Sequence, residues 1–140
     1  MNDHLILRVV GKFLIPYVIL FGLYVQFHGD FGPGGGFQAG VIFASAFVIH
    51  TLLFGLRSTQ QIVSEGFLQL ISASGVLLYA GVGVASLLLG GEFLNYSVLA
   101  ADPITGQHIG IIVIEFGVGL TVASTMILLL MIFAERGLSS

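Results

Sequence analysis

The chain is organised around the stretch Phe31-Gly32-Pro33-Gly34-Gly35-Gly36-Phe37-Gln38-Ala39-Gly40, which stands between two long apolar segments. Pro33 fixes its own φ and disfavours helix at the residue before it, and the three consecutive glycines allow backbone angles that other residues avoid. From Phe37 onward the sequence is apolar again, so the pattern predicts a turn followed by a helix N-terminus. Gly36 and Gly40 are four residues apart, a spacing at which a second helix can approach the backbone closely.

This stretch admits two interpretations. It can be a tight hairpin between two membrane helices, or an ion site, because the free backbone N–H groups of a helix N-terminus attract negative charge. A Walker-type phosphate loop is excluded, since no Gly-Lys-Ser/Thr follows the glycines. The glycine spacing also does not match the dinucleotide-binding fingerprint, and no strand pattern precedes it. Nucleotide binding is therefore rejected.

The composition predicts an integral membrane protein. Of 140 residues, 56% are apolar and 8% are charged, and the mean hydropathy is +1.07, whereas soluble domains carry roughly 25% charged residues. The net charge of −3 is small and scattered, which gives no basis for a nucleic-acid partner. The absence of Cys excludes disulfides and thiolate ligands for zinc or iron–sulfur centres, and we expect no cofactor.

Four apolar stretches are each near the ~20 residues that a helix needs to cross a bilayer core of about 30 Å. They cover residues 5–27, 37–56, 67–89 and 109–134. Between them we expect a polar loop at 57–66 and, at 102–106, a turn built around Asp102-Pro103. The predicted fold class is an all-α membrane protein, with one domain of four transmembrane helices over residues 1–140.

The basic residues predict the orientation of the chain in the membrane. They fall in the N-terminal segment, the loop between the second and third spans, and the C-terminal segment: Arg8, Lys12, Arg57 and Arg136. With four spans these three places lie on one side, and the positive-inside rule puts that side in the cytoplasm. We therefore expect both termini inside the cell and the glycine-rich stretch outside.

Glu115 is the carboxylate that lies deepest inside an apolar span, ~9 Å from the outer end of its helix when counted from Ile109. An anion is costly at that depth, so we expect the side chain to face protein or water. Tyr79 of the third span lies at a similar depth and is the nearest candidate for a hydroxyl partner. Two roles for Glu115 stay open: a protonation site or cation ligand in an ion path, and a protonated structural acid between helices.

His50 is the second candidate for an ion path. It lies ~9 Å from the inner end of its span, and its depth differs from that of Glu115 by roughly 12 Å, so direct contact between the two is not expected. A lone membrane histidine is more often an interhelical hydrogen-bond partner than a relay. The four His lack metal-ligand spacing, and no nucleophile–His–acid triad is gathered at one depth. We expect neither a metal site nor an enzyme.

The segment from His28 to Gly40, with its Pro-Gly-Gly-Gly-Phe core, resembles the signature of the MnhB/MrpB family. These are small membrane subunits of Mrp-type multisubunit cation/proton antiporters. The similarity extends to the four spans, the chain length and the segment Glu115-Phe116-Gly117-Val118-Gly119 of the last span. The acid of that helix in the family is often Asp, and Glu keeps the carboxyl chemistry while lengthening its reach.

The resemblance implies an accessory subunit of a Na⁺(K⁺)/H⁺ antiporter in the cell membrane. Its partners would be the other Mrp subunits and the lipid bilayer, and the complex would transport Na⁺ and H⁺. The ion-path candidates are Glu115, Tyr79 and His50. The residues expected to form a structural motif are Pro33, Gly34, Gly35, Gly36, Phe37 and Gly40. Two alternatives stay open: a scaffold without ion-path residues, and a B-like subunit of a complex-I-related hydrogenase or other redox-driven ion pump.

Overall fold

The computed structural model describes residues 3–29, 32 and 34–139. Its helices are α1 (Asp3–His28), α2 (Gly36–Phe54), α3 (Leu56–Ile62), α4 (Glu65–Leu88) and α5 (Pro103–Ser139), with a short 3-10 helix at Tyr96–Val98. Among the described residues, four helices are long and apolar enough to cross a membrane, namely α1, α2, α4 and α5. The predicted fold class, an all-α membrane protein with four transmembrane helices, is confirmed.

The longest helix, α5, begins earlier than the sequence predicts. Asp102 caps its N-terminus: Asp102 Oδ2 accepts hydrogen bonds from the Thr105 hydroxyl at 2.8 Å and from the Thr105 backbone N–H at 3.0 Å. These two bonds, the hydroxyl bond above all, lower the pKa of Asp102. Pro103 suits the first helical position, where no backbone N–H is needed. The predicted turn at 102–106 is therefore wrong, because residues that favour a turn also begin a helix.

The connection between α2 and α4 contains a helix where the sequence predicts a polar loop. Gly55 turns the chain with a φ of 88°, and α3 follows directly. Leu56, the first residue of α3, is buried in a core cluster with Ala44, Leu68, Ile127 and Met131. The loop prediction fails because one apolar side chain and one buried hydroxyl, that of Thr59, hold this polar segment against the bundle.

A buried polar network joins α3 to α2. The Thr59 hydroxyl is fully buried and lies 3.0 Å from His50 Nδ1 and 2.8 Å from Thr51 Oγ1. Thr51 donates its own proton to the Phe47 carbonyl at 2.7 Å, so its oxygen can only accept from Thr59. The other acceptor for the Thr59 proton, the Gly55 carbonyl, is more distant at 3.4 Å. The Thr59 oxygen can then accept a hydrogen bond from His50 Nδ1. This network fixes α3 against the end of α2.

The transmembrane helices pack in the order α1, α2, α5, α4, with a further, smaller contact between α1 and α5. Glycines allow the close contacts between these helices. A Cβ on Gly40 of α2 would lie 2.8 Å from the Gly119 carbonyl oxygen of α5, and a Cβ on Gly117 of α5 would lie 3.0 Å from the Gly75 carbonyl oxygen of α4. Lipid supplies no hydrophobic drive between helices, so close backbone packing of this kind is what holds membrane helices together.

This packing gathers the basic residues at one end of the bundle. Gly11 of α1 packs against Leu53, near the end of α2. Gln60 of α3 donates a hydrogen bond to Glu135, near the end of α5. The first turns of α1, the helix α3 and the last turns of α5 therefore share one end, which we call the basic end, and the residues that give it this character are Arg8, Lys12, Arg57 and Arg136.

Replacing Gly40 with Ala should destabilise the bundle, because the new Cβ would lie 2.8 Å from the Gly119 carbonyl oxygen and 2.9 Å from the Val122 Cβ. Overpacking of this kind costs about 1 to 3 kcal/mol, and the purified protein in detergent should melt at a lower temperature. Gly81→Ala is the matched control, since no described atom lies within 4 Å of a Cβ at Gly81. Equal melting temperatures for the two variants would contradict the α2–α5 packing.

Replacing Thr59 with Val should weaken the attachment of α3 to α2. The substitution keeps the side-chain volume but leaves His50 Nδ1 without its hydroxyl partner, and a buried polar group that loses its partner costs about 1 to 3 kcal/mol. We expect a lower melting temperature and faster proteolysis between α2 and α4. Thr125→Val is the control, since Thr125 is exposed and its hydroxyl contacts Ser72 of α4 at 3.3 Å, away from α3, so proteolysis between α2 and α4 should stay unchanged. Unchanged proteolysis in Thr59→Val would show that the network does not hold α3 in place.

Candidate functional site

Glu115 of α5 meets the backbone of the connection between α1 and α2. A Cβ built on Gly29 would lie 2.6 Å from Glu115 Oε2 and 2.9 Å from Glu115 Oε1, and one built on Gly35 would lie 3.1 Å from Oε1. The half-buried carboxylate therefore rests directly against glycine backbone. We call Gly29, Gly34, Gly35 and Gly36 the glycine turn. The glycines and the deep acid, which are far apart in the sequence, form one site.

This close approach depends on the missing side chains. A Cβ on Gly36 would overlap the Glu115 carbonyl, so α2 can begin here only because residue 36 is Gly. Gly35 caps α2 with a φ of 127°, which other residues rarely adopt. A Cβ on Gly34 would lie 3.0 Å from the Val25 carbonyl oxygen of α1. Side chains at these positions would force the glycine turn away from α5.

The site lies below the N-terminal end of α5, which is opposite the basic end, at membrane depth. From Pro103 to Glu115 the helix rises ~18 Å, and from Ile109, where the apolar stretch begins, it rises ~9 Å. Since the bilayer core is about 30 Å thick, the glycine turn that contacts Glu115 lies inside the apolar layer. At this end of the bundle, the connection between α1 and α2 therefore lies deeper than the connection between α4 and α5.

The carboxylate of Glu115 stands beside the N-terminus of α2. The first backbone N–H groups of a helix have no intrahelical partner and place a partial positive charge at that end. Non-helical backbone at membrane depth is tolerated only where it is buried in protein or lines a polar cavity. The contact between the glycine turn and Glu115 meets this condition. Such a site can hold the carboxylate as an anion, bind a monovalent cation to it, or take up a proton.

A cavity of about 350 Å³ opens beside this site, between α1, α2, α4 and α5. Its lining is apolar except for Gln26 and Ser124, and Ser124 donates its proton to the Leu120 carbonyl at 2.6 Å. Gln26 Oε1 lies against Gly119, one helical turn along α5 from Glu115. Gln26 is not among the residues that the sequence pattern predicts for the site. The available signal is that Gln26 is the one amide side chain in residues 13–27.

Tyr79 does not meet Glu115. Gly117 lies on the side of α5 that faces α4, since a Cβ at Gly117 would lie 3.6 Å from the Tyr79 backbone nitrogen. Glu115 is two residues away and so points to the opposite side of the helix. The Tyr79 phenol instead lies near the 3-10 helix: burial raises the pKa of Tyr96, and Tyr79 raises it further. The expected Tyr79–Glu115 pair is therefore not formed, although the two depths match.

His50 is remote from the site. It lies ~21 Å along α2 from Gly36, and its Nδ1 contacts the Thr59 hydroxyl. The expectation that His50 and Glu115 do not touch is confirmed. An ion path that included both residues would need groups from the cavity or from another chain between them.

The motif residues divide by position. Gly34, Gly35 and Gly36 belong to the glycine turn, and Gly40 packs against α5. The Phe37 side chain is 64% exposed, so it points away from the bundle. Pro33 lies outside the described residues. The glycines of the motif thus serve contacts within the chain, whereas Phe37 presents an aromatic ring to its surroundings.

Within the described part of the chain, no group of three or more His, Asp or Glu side chains is placed to hold a metal ion. In the same described part, the site around Glu115 offers one carboxylate, glycine backbone and the amide of Gln38, whose Oε1 lies 3.6 Å from the position that a Cβ of Gly35 would take.

Comparison with known proteins assigns the chain to a family. A family model described as a domain related to the MnhB subunit of Na⁺/H⁺ antiporter matches residues 6–128. Similar proteins include the antiporter subunit mnhB2 of Staphylococcus aureus strains Newman and JH1, each 32% identical over 129 residues, with 90% of both chains covered. The matched residues include the glycine turn and Glu115, so the resemblance seen in the sequence is confirmed. The chain belongs to the MnhB family.

Proposed function

We propose that this chain is an accessory subunit of a multisubunit Na⁺/H⁺ antiporter in the cell membrane, and that Glu115 borders the cation or proton path of that complex. Membership of the MnhB family supports the antiporter setting. The observation that carries the role of Glu115 is the contact of its carboxylate with the glycine turn at membrane depth.

Exchange of H⁺ for a cation needs a group that releases its proton when the cation arrives. A membrane carboxylate is neutral when it is protonated, and it needs a positive neighbour when it is not. At Glu115 the N-terminus of α2 supplies a partial positive charge, and a bound Na⁺ would supply a full one. A proton and Na⁺ would therefore compete for the same carboxylate, which is a physical basis for exchange at one side chain.

An accessory subunit accounts for the bundle better than a solitary carrier does. A carrier needs two access states and a set of cation ligands between them, and one deep carboxylate is sparse for that purpose. The edge helix α1 exposes large apolar side chains over most of its length, such as Phe13, Phe21 and Phe27. We infer that lipid and neighbouring subunits cover these surfaces in the assembled complex.

A scaffold that holds larger subunits in register is the second candidate, and the face of α4 around Gly81 favours it. An apolar groove of about 510 Å³ is lined there by Gly81, Ala85 and Gly110 among others. Small residues of this kind let another helix approach closely. A pure scaffold would lose assembly when Gly81 is replaced by a large residue, and substitutions of Glu115 would change stability alone.

Glu115→Gln should reduce Na⁺-dependent proton movement at least about tenfold, because the amide can neither release a proton nor carry the charge that holds a cation. Glu115→Ala should behave in the same way, and Glu115→Asp should retain part of the activity. The measurement is proton movement on Na⁺ addition in everted membrane vesicles, with co-purification of the partner subunits to check assembly.

Glu92→Gln is the matched control for these substitutions, since Glu92 is exposed in the connection after α4. It should leave exchange unchanged. Full exchange by assembled complexes that carry Glu115→Gln and Glu115→Ala would leave Glu115 without a transport role and would favour the scaffold.

We infer that the basic end faces the cytoplasm, as the positive-inside rule requires. The chain has no Cys, so single cysteines can report sidedness. In intact cells a membrane-impermeant thiol reagent should label Ala101→Cys, which precedes α5, and should not label Gln61→Cys, which lies in α3. Both side chains are exposed. Labelling of Gln61→Cys alone would reverse the orientation.

A further inference from the structure

Gln26 occupies the side of the glycine turn that faces the cavity. It lies near the end of α1, a membrane-crossing helix, and is partly buried. Its Oε1 and Cδ atoms lie against Gly119 of α5, with Cδ 3.4 Å from the position that a Cβ of Gly119 would take. The Gly36 carbonyl oxygen lies 3.3 Å from that same position. Gln26 therefore fills the space that the missing side chain of Gly119 leaves.

Gln26 and Glu115 are adjacent along the α1–α5 contact. On α5, Gly119 follows Glu115 by one helical turn, a rise of ~6 Å. On α1, Gln26 precedes Gly29 by three residues, a rise of ~4.5 Å, and Gly29 is the residue against which the Glu115 carboxylate rests. The two helices thus place the contact of the Gln26 amide with Gly119 and that of the Glu115 carboxylate with Gly29 roughly 5 Å apart along the bundle axis.

The Gln26 amide has no hydrogen-bond partner among the described residues, and it lines the cavity of about 350 Å³. An amide that is left unpaired at membrane depth is costly. Along α5 the cavity runs from Phe116 to Ile127, a length of ~16 Å toward the basic end. The amide thus stands between the carboxylate of Glu115 and the cavity.

We propose that Gln26 is the second ligand of a monovalent-cation site, with its amide oxygen and the Glu115 carboxylate on either side of the ion. The inference rests on the proposed function of Glu115 and adds a residue that sets cation affinity. Oxygen ligands lie about 2.4 Å from a cation of the size of Ca²⁺, which is close to that of Na⁺. Two such bonds span about 5 Å, the separation that the helices give.

The charges favour a monovalent ion over a divalent one. Among the described residues, the site has one carboxylate and two neutral amides, since Gln38 Oε1 also lies 3.6 Å from the position that a Cβ of Gly35 would take. These groups neutralise a bound Na⁺, whereas a divalent ion would keep an uncompensated charge at membrane depth. The amide oxygen is a suitable cation ligand, but an amide does not take up and release protons at ordinary pH. Gln26 is therefore expected to act on cation binding, while the proton remains with Glu115.

The test uses the assembled complex in everted membrane vesicles, with Na⁺ as the probe. Gln26→Met keeps the length of the side chain and removes the amide. It should raise the apparent KM for Na⁺ about tenfold, the effect of losing one moderate ligand, without moving the pH optimum of exchange. Gln26→Asn keeps an amide that is one carbon shorter, so it should give a smaller rise. Gln69→Met is the matched control on the exposed side of α4 and should change nothing.

An unchanged KM for Na⁺ in an assembled Gln26→Met complex would overturn this inference. So would a failure of both Gln26→Met and Gln26→Asn to assemble, since Gln26 would then be needed for packing. Glu115→Gln is measured in parallel to separate the two proposals. Lost exchange in Glu115→Gln together with an unchanged KM in Gln26→Met would reject the role of Gln26 alone, whereas full exchange in Glu115→Gln would reject the proposed function.

Discussion

The structure depends on the contact between the backbone of Gly36 and that of Glu115. No residue with a Cβ fits at position 36, because that atom would overlap the Glu115 carbonyl. The same contact fixes three things at once: where α2 begins, how closely α2 packs on α5, and where the Glu115 side chain must go. The backbone of Glu115 packs against Gly36, and this contact places the Glu115 carboxylate beside the glycine turn. The position of the acid therefore follows from helix packing.

The consequence for function lies in the depth of this contact. A helix N-terminus that lay at the membrane surface would be satisfied by water, and a nearby acid would have no special property. Because the glycine turn lies inside the apolar layer, the partial charge of the helix end and the charge of Glu115 act with little water to screen them. In membrane transporters the N-terminal ends of interrupted helices face anionic groups, and here the N-terminus of α2 faces the carboxylate of Glu115. The bundle adds a cavity on the side of the basic end, and Gln26 is one of its lining residues.

Much of this arrangement can be predicted from the sequence, and the rest fails for identifiable reasons. Hydropathy gives the four membrane-crossing helices, and the glycines give the start of α2. The depth of Glu115 follows from counting residues along its span. Its partner does not, because the depth of a residue does not determine which neighbouring helix its side chain faces. Tyr79 has the right depth and lies on the wrong side of α5. Gln26 is missed because a single amide near a helix end forms no sequence pattern that predicts a site. Its position against Gly119 becomes evident only when α1 and α5 are packed together.

Local misassignments have a similar origin. Asp102 and Pro103 are common in turns and at helix starts, and only the bonds to Thr105 decide between the two. The segment after Gly55 is polar enough for a loop, yet the burial of Leu56 and Thr59 makes it a helix. In each case a tertiary contact selects one of two local structures that the residues permit.

The measurement that tests this account most directly is the membrane depth of the glycine turn. Nitroxide labels on Gly32→Cys and Ala101→Cys, in the assembled complex in lipid, report depth through their relative accessibility to oxygen and to a water-soluble nickel chelate. We expect the label at residue 32 to lie deeper than the label at residue 101, by on the order of 10 Å. Equal depths, with both labels at the membrane surface, would contradict it.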